Sequence, residues 1–237
     1  MAPRARPRPA LGAVPAPGVV SEVEELYDYG DLRSLEEPTM IVSRVARATL
    51  VLGSAQSRNV LDAASLSTTS LRRRRGGGGV VLLQPRDLWV DWWIPRGDER
   101  WASDVHVSSI RAGTWWAESL APFADGPLHV HEGALEGPVA FRVVCFAGRG
   151  PGEVFLNAQK IVGVTQWRVR EGVFLSSVLR TGATADVVGY LAHVPEGLIG
   201  ALDNEVVSSL RFEDEAILAR LRSVAGPWAQ RSALLTT

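Results

Sequence analysis

The stretch Val144–Val178, VCFAGRGPGEVFLNAQKIVGVTQWRVREGVFLSSV, decides how the rest of this 237-residue chain is read. It holds the sole cysteine, Cys145, and the sole lysine, Lys160. With 25 Lys+Arg in the chain and one of them lysine, 24 are arginine. Such a chain uses arginine wherever a generic cation serves. The surviving lysine therefore marks a place where a planar, permanently charged guanidinium will not do. An ammonium offers a compact charge with three donors on a flexible stem, and a pKa that burial can move. The plain alternative is an ordinary turn residue, and the neighbours of Lys160 weigh against it.

Working outward, a second unusual run is Arg72-Arg73-Arg74-Arg75-Gly76-Gly77-Gly78-Gly79-Val80. Four arginines without interleaved aromatics, in a chain of net charge −1, make a poor nucleic-acid footprint. The glycines run straight into an apolar strand, Val80–Gln84, which argues against a linker. A glycine-rich loop whose missing side chains let backbone N–H groups approach an anion or a carbonyl fits better. It is not a Walker loop, because the Lys-Ser/Thr ending is absent and a strand follows.

Both runs resemble motifs of one family, the lipoate–protein ligases and related octanoyltransferases. Lys160-Ile161-Val162-Gly163 with Gln166 and Arg168 is similar to the family's K-hydrophobic-x-G-x-x-Q-x-R signature. Glu153–Leu156 and the turn Asn157-Ala158-Gln159 resemble the hairpin that leads into its lysine. Arg72, Arg73, Gly76, Gly77, Gly78 and Val80 match R-R-x-S/T-G-G-G/R-x-V, with Arg75 where the family has a hydroxyl. Gln56, soon after the strand Val45–Gly53, stands where the family has a glutamine near its acyl pocket. Cys145, 15 positions before Lys160 with Phe146 beside it and Glu153 between, resembles the cysteine-dependent transferase branch. One departure is plain: sixteen positions after the lysine, where the family has a histidine, this chain has Ser176-Ser177.

The resemblance implies an α+β domain over residues 21–237, with a mixed, largely antiparallel sheet flanked by helices, like the biotin/lipoate ligase catalytic module. It leaves no room for a C-terminal accessory domain. It implies acyl transfer, octanoyl or lipoyl, to a lysine of a lipoyl domain. The acceptor would be a glycine-cleavage H protein or a 2-oxoacid dehydrogenase E2, and acyl carrier protein a donor. Lys160 and Cys145 would be catalytic. Arg72, Arg73, Gly76, Gly77, Gly78, Val80, Gln56, Gly163 and Gln166 would bind substrate. Three readings stay open: a Cys145 thioester without ATP, an ATP- and Mg²⁺-dependent ligase working through lipoyl-AMP, and a non-catalytic acyl- or lipoyl-protein binder.

Composition agrees with a globular domain: 46% hydrophobic and 22% charged residues supply a core. One cysteine forms no internal disulfide, as expected in a reducing cytoplasm. No apolar run reaches the ~18 residues of a membrane span, and Pro15, Pro17 and Gly18 interrupt any signal-like segment. Residues 1–20, rich in Pro, Ala and Arg, read as a disordered tail, and Ser21–Leu35 as the start of the fold.

Among the remaining segments, Val60–Leu66 reads as a helical turn. Asp87–Pro95 reads as a strand with one wet and one tryptophan-bearing face. Arg96-Gly97-Asp98 is a turn. Asp104–Leu120 is a helix with Val105, Ile110, Trp115, Trp116 and Leu120 as its apolar positions. Val139–Phe146 reads as a strand delivering Cys145. Ala185–Leu191 and Leu198–Ala201 read as short helical segments, and Phe212–Val224 as an amphipathic helix with Ile217, Leu218 and Leu221 inward. His129, His131 and Glu132 lack the further ligands of a metal site and read as surface strand residues.

Overall fold

The computed structural model describes residues 23–67, 69–180, 182–202 and 214–235. In chain order its elements are α1 (Tyr29–Arg33), β1 (Thr39–Val45), β2 (Thr49–Leu52), β3 (Ser70–Arg73), β4 (Val81–Leu83), β5 (Leu88–Pro95), α2 (Val105–Leu120), β6 (Leu128–Val130), β7 (Val154–Leu156), β8 (Gln159–Arg168), β9 (Gly172–Leu179), α3 (Asp214–Ala225) and β10 (Ala229–Leu235). Seven strands form one sheet in the order β10-β1-β5-β9-β8-β7-β6, and β3-β2-β4 form a smaller one. In the large sheet β1 and β10 pair in parallel and the other neighbours antiparallel. This is the α+β class with a mixed, largely antiparallel sheet that the sequence implies. The expected tail, residues 1–20, lies outside the described residues.

The large sheet is covered on both faces, which corrects the reading of β5. Every residue from Leu88 to Ile94 is buried, with no wet face. Leu88, Val90, Trp92 and Ile94 pack with Ala112, Trp116 and Leu120 of α2 and with α3. On the other face Trp93 packs with Tyr29 and Phe174, and Trp89 joins the core around the small sheet. A strand buried twice reads as a nearly continuous apolar run, so alternation is a weak guide here. The tryptophan pair of α2 is core, as expected. Trp116 is fully buried, its indole N–H donates to Ser177 Oγ at 2.8 Å, and its truncation to alanine would cost ~3–5 kcal/mol. Asp104 caps α2 by accepting from the His106 and Val107 amides. Val105, counted as an apolar helix position, is 54% exposed. Ile217, Leu218 and Leu221 of α3 face inward as read.

Two other expectations change. Val45–Gly53 is not one strand: β1 ends at Val45, the chain bends at Ala46-Arg47, and β2 starts in the other sheet. Val139–Phe146 is not a strand either. It forms two 3-10 turns, Val139–Val143 and Cys145–Ala147, joined to the sheets by the single bridge between Val80 and Val144. Its apolar composition misled, because Val139 is 73% exposed and among the described residues no strand pairs with it. No described helix is long and apolar enough to cross a membrane.

Candidate active site

A cleft of about 560 Å³ opens between the glycine loop, the first turns of α2, the segment from Leu135 to Glu153 and β8. Cys145, Lys160, Gly77, Gly78 and Gln166 all line it. The mouth carries exposed apolar side chains, Val105 and Leu135, while Val144 and Ala147 line it as buried ones.

Lys160 arrives there through a tight hairpin. Asn157 takes the left-handed conformation (φ 56°) between β7 and β8, which a short amide side chain tolerates better than most. Lys160 then pairs with Phe155 across the ladder. The side chain is 3% exposed and fully engaged. Its ammonium lies 2.5 Å from Glu153 Oε1 and donates to the carbonyls of Cys145 at 2.8 Å and Gly148 at 3.2 Å. The Phe146 ring centroid lies 5.0 Å away. Glu153 also accepts from the Gly150 amide at 2.6 Å. Burial pushes its carboxyl pKa up, and Lys160 and the Gly150 amide pull it back.

Cys145 is half-buried. Its amide donates to the Val80 carbonyl at 3.0 Å, and the Val80 amide to Val143 O at 2.8 Å. Val80 therefore ties the end of the glycine loop to the cysteine segment. Gly163 serves the same packing: a Cβ there would meet the Phe146 ring at 3.3 Å and Cys145 Sγ at 3.7 Å.

The arginine–glycine run is a hydrogen-bonded scaffold. Arg72 forms an ion pair with Glu24. Arg73 Nη1 donates to the carbonyls of Gly53, Ser54 and Gln56. Arg75 pairs with Glu25 at 2.7 Å and stacks over Tyr29 and Trp167. Arg74, 2% exposed, donates to Val51 O, Gly77 O and Gly79 O at 2.7–3.2 Å. Gly76 O accepts from the Ser54 amide and Gly77 O also from Thr165 Oγ1. The loop's carbonyls at Gly76, Gly77 and Gly79 are thus taken, while among the described residues the N–H groups of Gly77, Gly78 and Gly79 have no acceptor. A Cβ on Gly77 would meet nothing within 4 Å. All three glycines line the cleft, so these amides are available as donors at its wall.

Arg72, Arg73, Gly76, Val80, Gly163 and Gln56 frame the cleft from behind without lining it. The Gln56 amide is engaged with Gly53 N and Val143 O. That of Gln166, at the cleft wall, donates to Val105 O and Ser109 Oγ. Ser176 points into the protein, donating to Asp91 Oδ1 at 2.5 Å. His131 is not a surface residue: it lies past the end of β6, is 7% exposed, and bonds Ala134 O through Nε2. Among the described residues no group of three or more His, Cys, Asp or Glu is placed to hold a metal ion.

Sequence reading missed Arg74 and underused Glu153. Arg74 occupies the unspecified position of its motif, and Glu153 served only as a spacing mark. A signal for each existed. An acid seven residues before a lone lysine, across a hairpin, is placed to pair with it. An arginine abutting a glycine run has bare carbonyls within reach.

No protein-family model matches this sequence, and no curated protein matches it. Solved structures do match in shape. The Thermoplasma acidophilum protein Ta0514, solved with bound lipoic acid, aligns with TM-score 0.63 and 14% identity over 88% of this chain and 82% of its own. A lipoate-protein ligase A bound with ATP aligns with TM-score 0.65 and 17% identity, again over 88% and 82%. Plasmodium falciparum (P. falciparum) LipL1, solved with lipoate, aligns with TM-score 0.53 and 11% identity over 85% of this chain and 54% of its own. At these identities the likeness concerns the fold: this chain has the architecture of the lipoate–protein ligase catalytic domain.

Proposed function

We propose that this chain is a protein-lipoylation enzyme, moving an octanoyl or lipoyl group to a lysine of a lipoyl domain through a thioester on Cys145. The observation that carries the reading is the convergence of the chain's sole thiol, its sole lysine and an open glycine-loop donor surface on one apolar-mouthed cleft. The molecules bound to its structural neighbours support the acyl class: lipoic acid in one and lipoate in another. A third was solved as part of a lipoylation system with its E2 lipoyl domain.

In this reading the Cys145 thiolate attacks the carbonyl carbon of a donor thioester. The loop N–H groups take the oxygen as negative charge develops on it. The donor's thiolate leaves, takes up a proton, and the acyl group remains as the Cys145 thioester. The acceptor amine then attacks the same carbon, expels the Cys145 thiolate and gives up a proton to water, leaving an amide. Lys160, beside the cysteine backbone, contributes its ammonium to the same oxygen once it exchanges one of its carbonyl partners.

An ATP-dependent ligase is the second reading, favoured by the ATP-bound neighbour. The residues present fit an anionic group, because the loop N–H groups are open and an ammonium lies in the same cleft. ATP, with Mg²⁺, would there supply the leaving group that activates a free carboxylate. Cys145 is then only a small residue of the wall. Intact-mass analysis of an acceptor lipoyl domain separates the readings. Modification with octanoyl-carrier protein alone supports the transferase. Modification only with lipoate, ATP and Mg²⁺ supports the ligase. No modification under either condition leaves a non-catalytic binder.

A further inference from the structure

A buried guanidinium with no carboxylate partner is unusual, since an isolated charge inside a protein is costly unless its hydrogen-bonding groups are fully engaged. Arg74 is such a group. Among the described residues no carboxylate forms an ion pair with it, and its partners are backbone carbonyls only: Val51 on β2, and Gly77 and Gly79 on the loop. Two of its nitrogens reach Gly77 O, at 2.8 and 3.2 Å, and one of these also reaches Gly79 O at 2.7 Å. The planar fork therefore spans the loop and anchors it to the small sheet. Between the two carbonyls lies Gly78, in the left-handed region (φ 90°).

We infer that Arg74 is the positioning residue of the glycine loop, drawing the carbonyls of Gly77 and Gly79 inward so that the amides of Gly77, Gly78 and Gly79 are left open to the cleft. The role lies outside the motif pair: Arg72 pairs with Glu24, and Arg73 donates to the carbonyls of Gly53, Ser54 and Gln56. It depends on shape as well as charge. A lysine keeps the charge, but its single nitrogen cannot span Gly77, Gly79 and Val51 as a fork does. The catalytic use of the amides rests on the acyl-transfer reading; the shape of the loop does not.

The test uses the full chain with Arg74→Lys and Arg74→Met, read in two ways. In [¹⁵N]glycine-labelled protein, the amide resonances of Gly77, Gly78 and Gly79 should be displaced in both variants. Those of glycines elsewhere, such as Gly113 and Gly172, should keep their wild-type positions. In octanoyl transfer to a lipoyl domain, kcat should fall about 100-fold, as on loss of an oxyanion donor. KM for octanoyl-carrier protein should stay within about threefold of wild type. Loop resonances at wild-type positions in either variant, or an unchanged kcat, would overturn the inference. If Arg74→Met does not fold, Arg74→Lys carries the test, since it preserves charge and approximate volume. If the wild type transfers no acyl group at all, the proposed function fails, and the glycine spectra alone decide whether Arg74 sets the loop.

Discussion

Arg74, buried behind the glycine loop, and Lys160, buried at the cleft wall, are treated by their surroundings in opposite ways. Among the described residues Arg74 has no counter-ion and uses its donors on carbonyls, and the N–H groups of the adjoining loop have no acceptor. Lys160 is paired with Glu153, and two carbonyls occupy the rest of its donors. One wall is set to receive negative charge as it stands; the other holds its cation in reserve. In a low-dielectric site, fixed donors aimed at a developing charge need no reorganisation, whereas a paired ammonium must first give up a partner. The loop should therefore meet the charge that develops on the acyl oxygen directly, and Lys160 should add to it only after giving up a partner.

The contrast is broken most directly at Lys160. Lys160→Arg puts a bulky planar cation where a compact one is held, so transfer should fall by about a thousandfold or more with the fold retained by circular dichroism. Unchanged turnover would remove Lys160 from the chemistry. Glu153→Gln takes away its counter-ion and leaves a hydrogen bond. The protein should lose about 3 kcal/mol of stability in urea, as expected when a buried pair loses one member. Because burial raises the Glu153 carboxyl pKa, the wild-type activity should also show an acid limb above the ordinary carboxylate range. The glutamine variant should lack it.

On the loop wall, Gly77→Val should fold normally, because its Cβ meets nothing in the protein. It should raise the donor KM about 100-fold by filling space in front of the amides. A donor KM equal to wild type would make the loop a mere turn.

A third buried charge sharpens the comparison further. Asp91 lies in the middle of β5, accepting from Trp89 Nε1 and Ser176 Oγ, and among the described residues no cation forms an ion pair with it. Burial pushes its pKa up to about 7. Its folded-state pKa is raised, so the native state binds the extra proton. Stability from this group is full below the unfolded value and is lost as pH rises toward about 7. Between pH ~5.5 and pH ~8 the wild type should lose about 2 kcal/mol through Asp91. Asp91→Asn should flatten that slope in urea titrations at the two pH values.

How much of this was legible in the sequence follows from which forces act locally. The hairpin before Lys160, the cap at Asp104 and the inward face of α3 depend on neighbours in the chain, and they were readable. So was the convergence on the cleft of Lys160, Cys145 and the glycines, through motif resemblance. The failures are tertiary. The all-buried β5 needs layers on both faces. The switch from β1 to β2 needs a second sheet, and Val139–Phe146 lacks a partner strand that no local pattern reports. Arg74 escaped because four adjacent arginines look alike in sequence. Their fates are set by what lies opposite: Glu24, the carbonyls of Gly53 to Gln56, the loop, and Glu25 with Tyr29 and Trp167.

The thioester mechanism requires that Cys145 carry the acyl group. Incubation of the wild-type chain with octanoyl-carrier protein, without ATP or acceptor, followed by intact-mass analysis, tests it directly. The expected result is an octanoyl adduct that hydroxylamine removes and that Cys145→Ala does not form, since a thioester needs the thiol. Absence of the adduct on wild type, with the alanine variant still modifying a lipoyl domain when given lipoate, ATP and Mg²⁺, would contradict it.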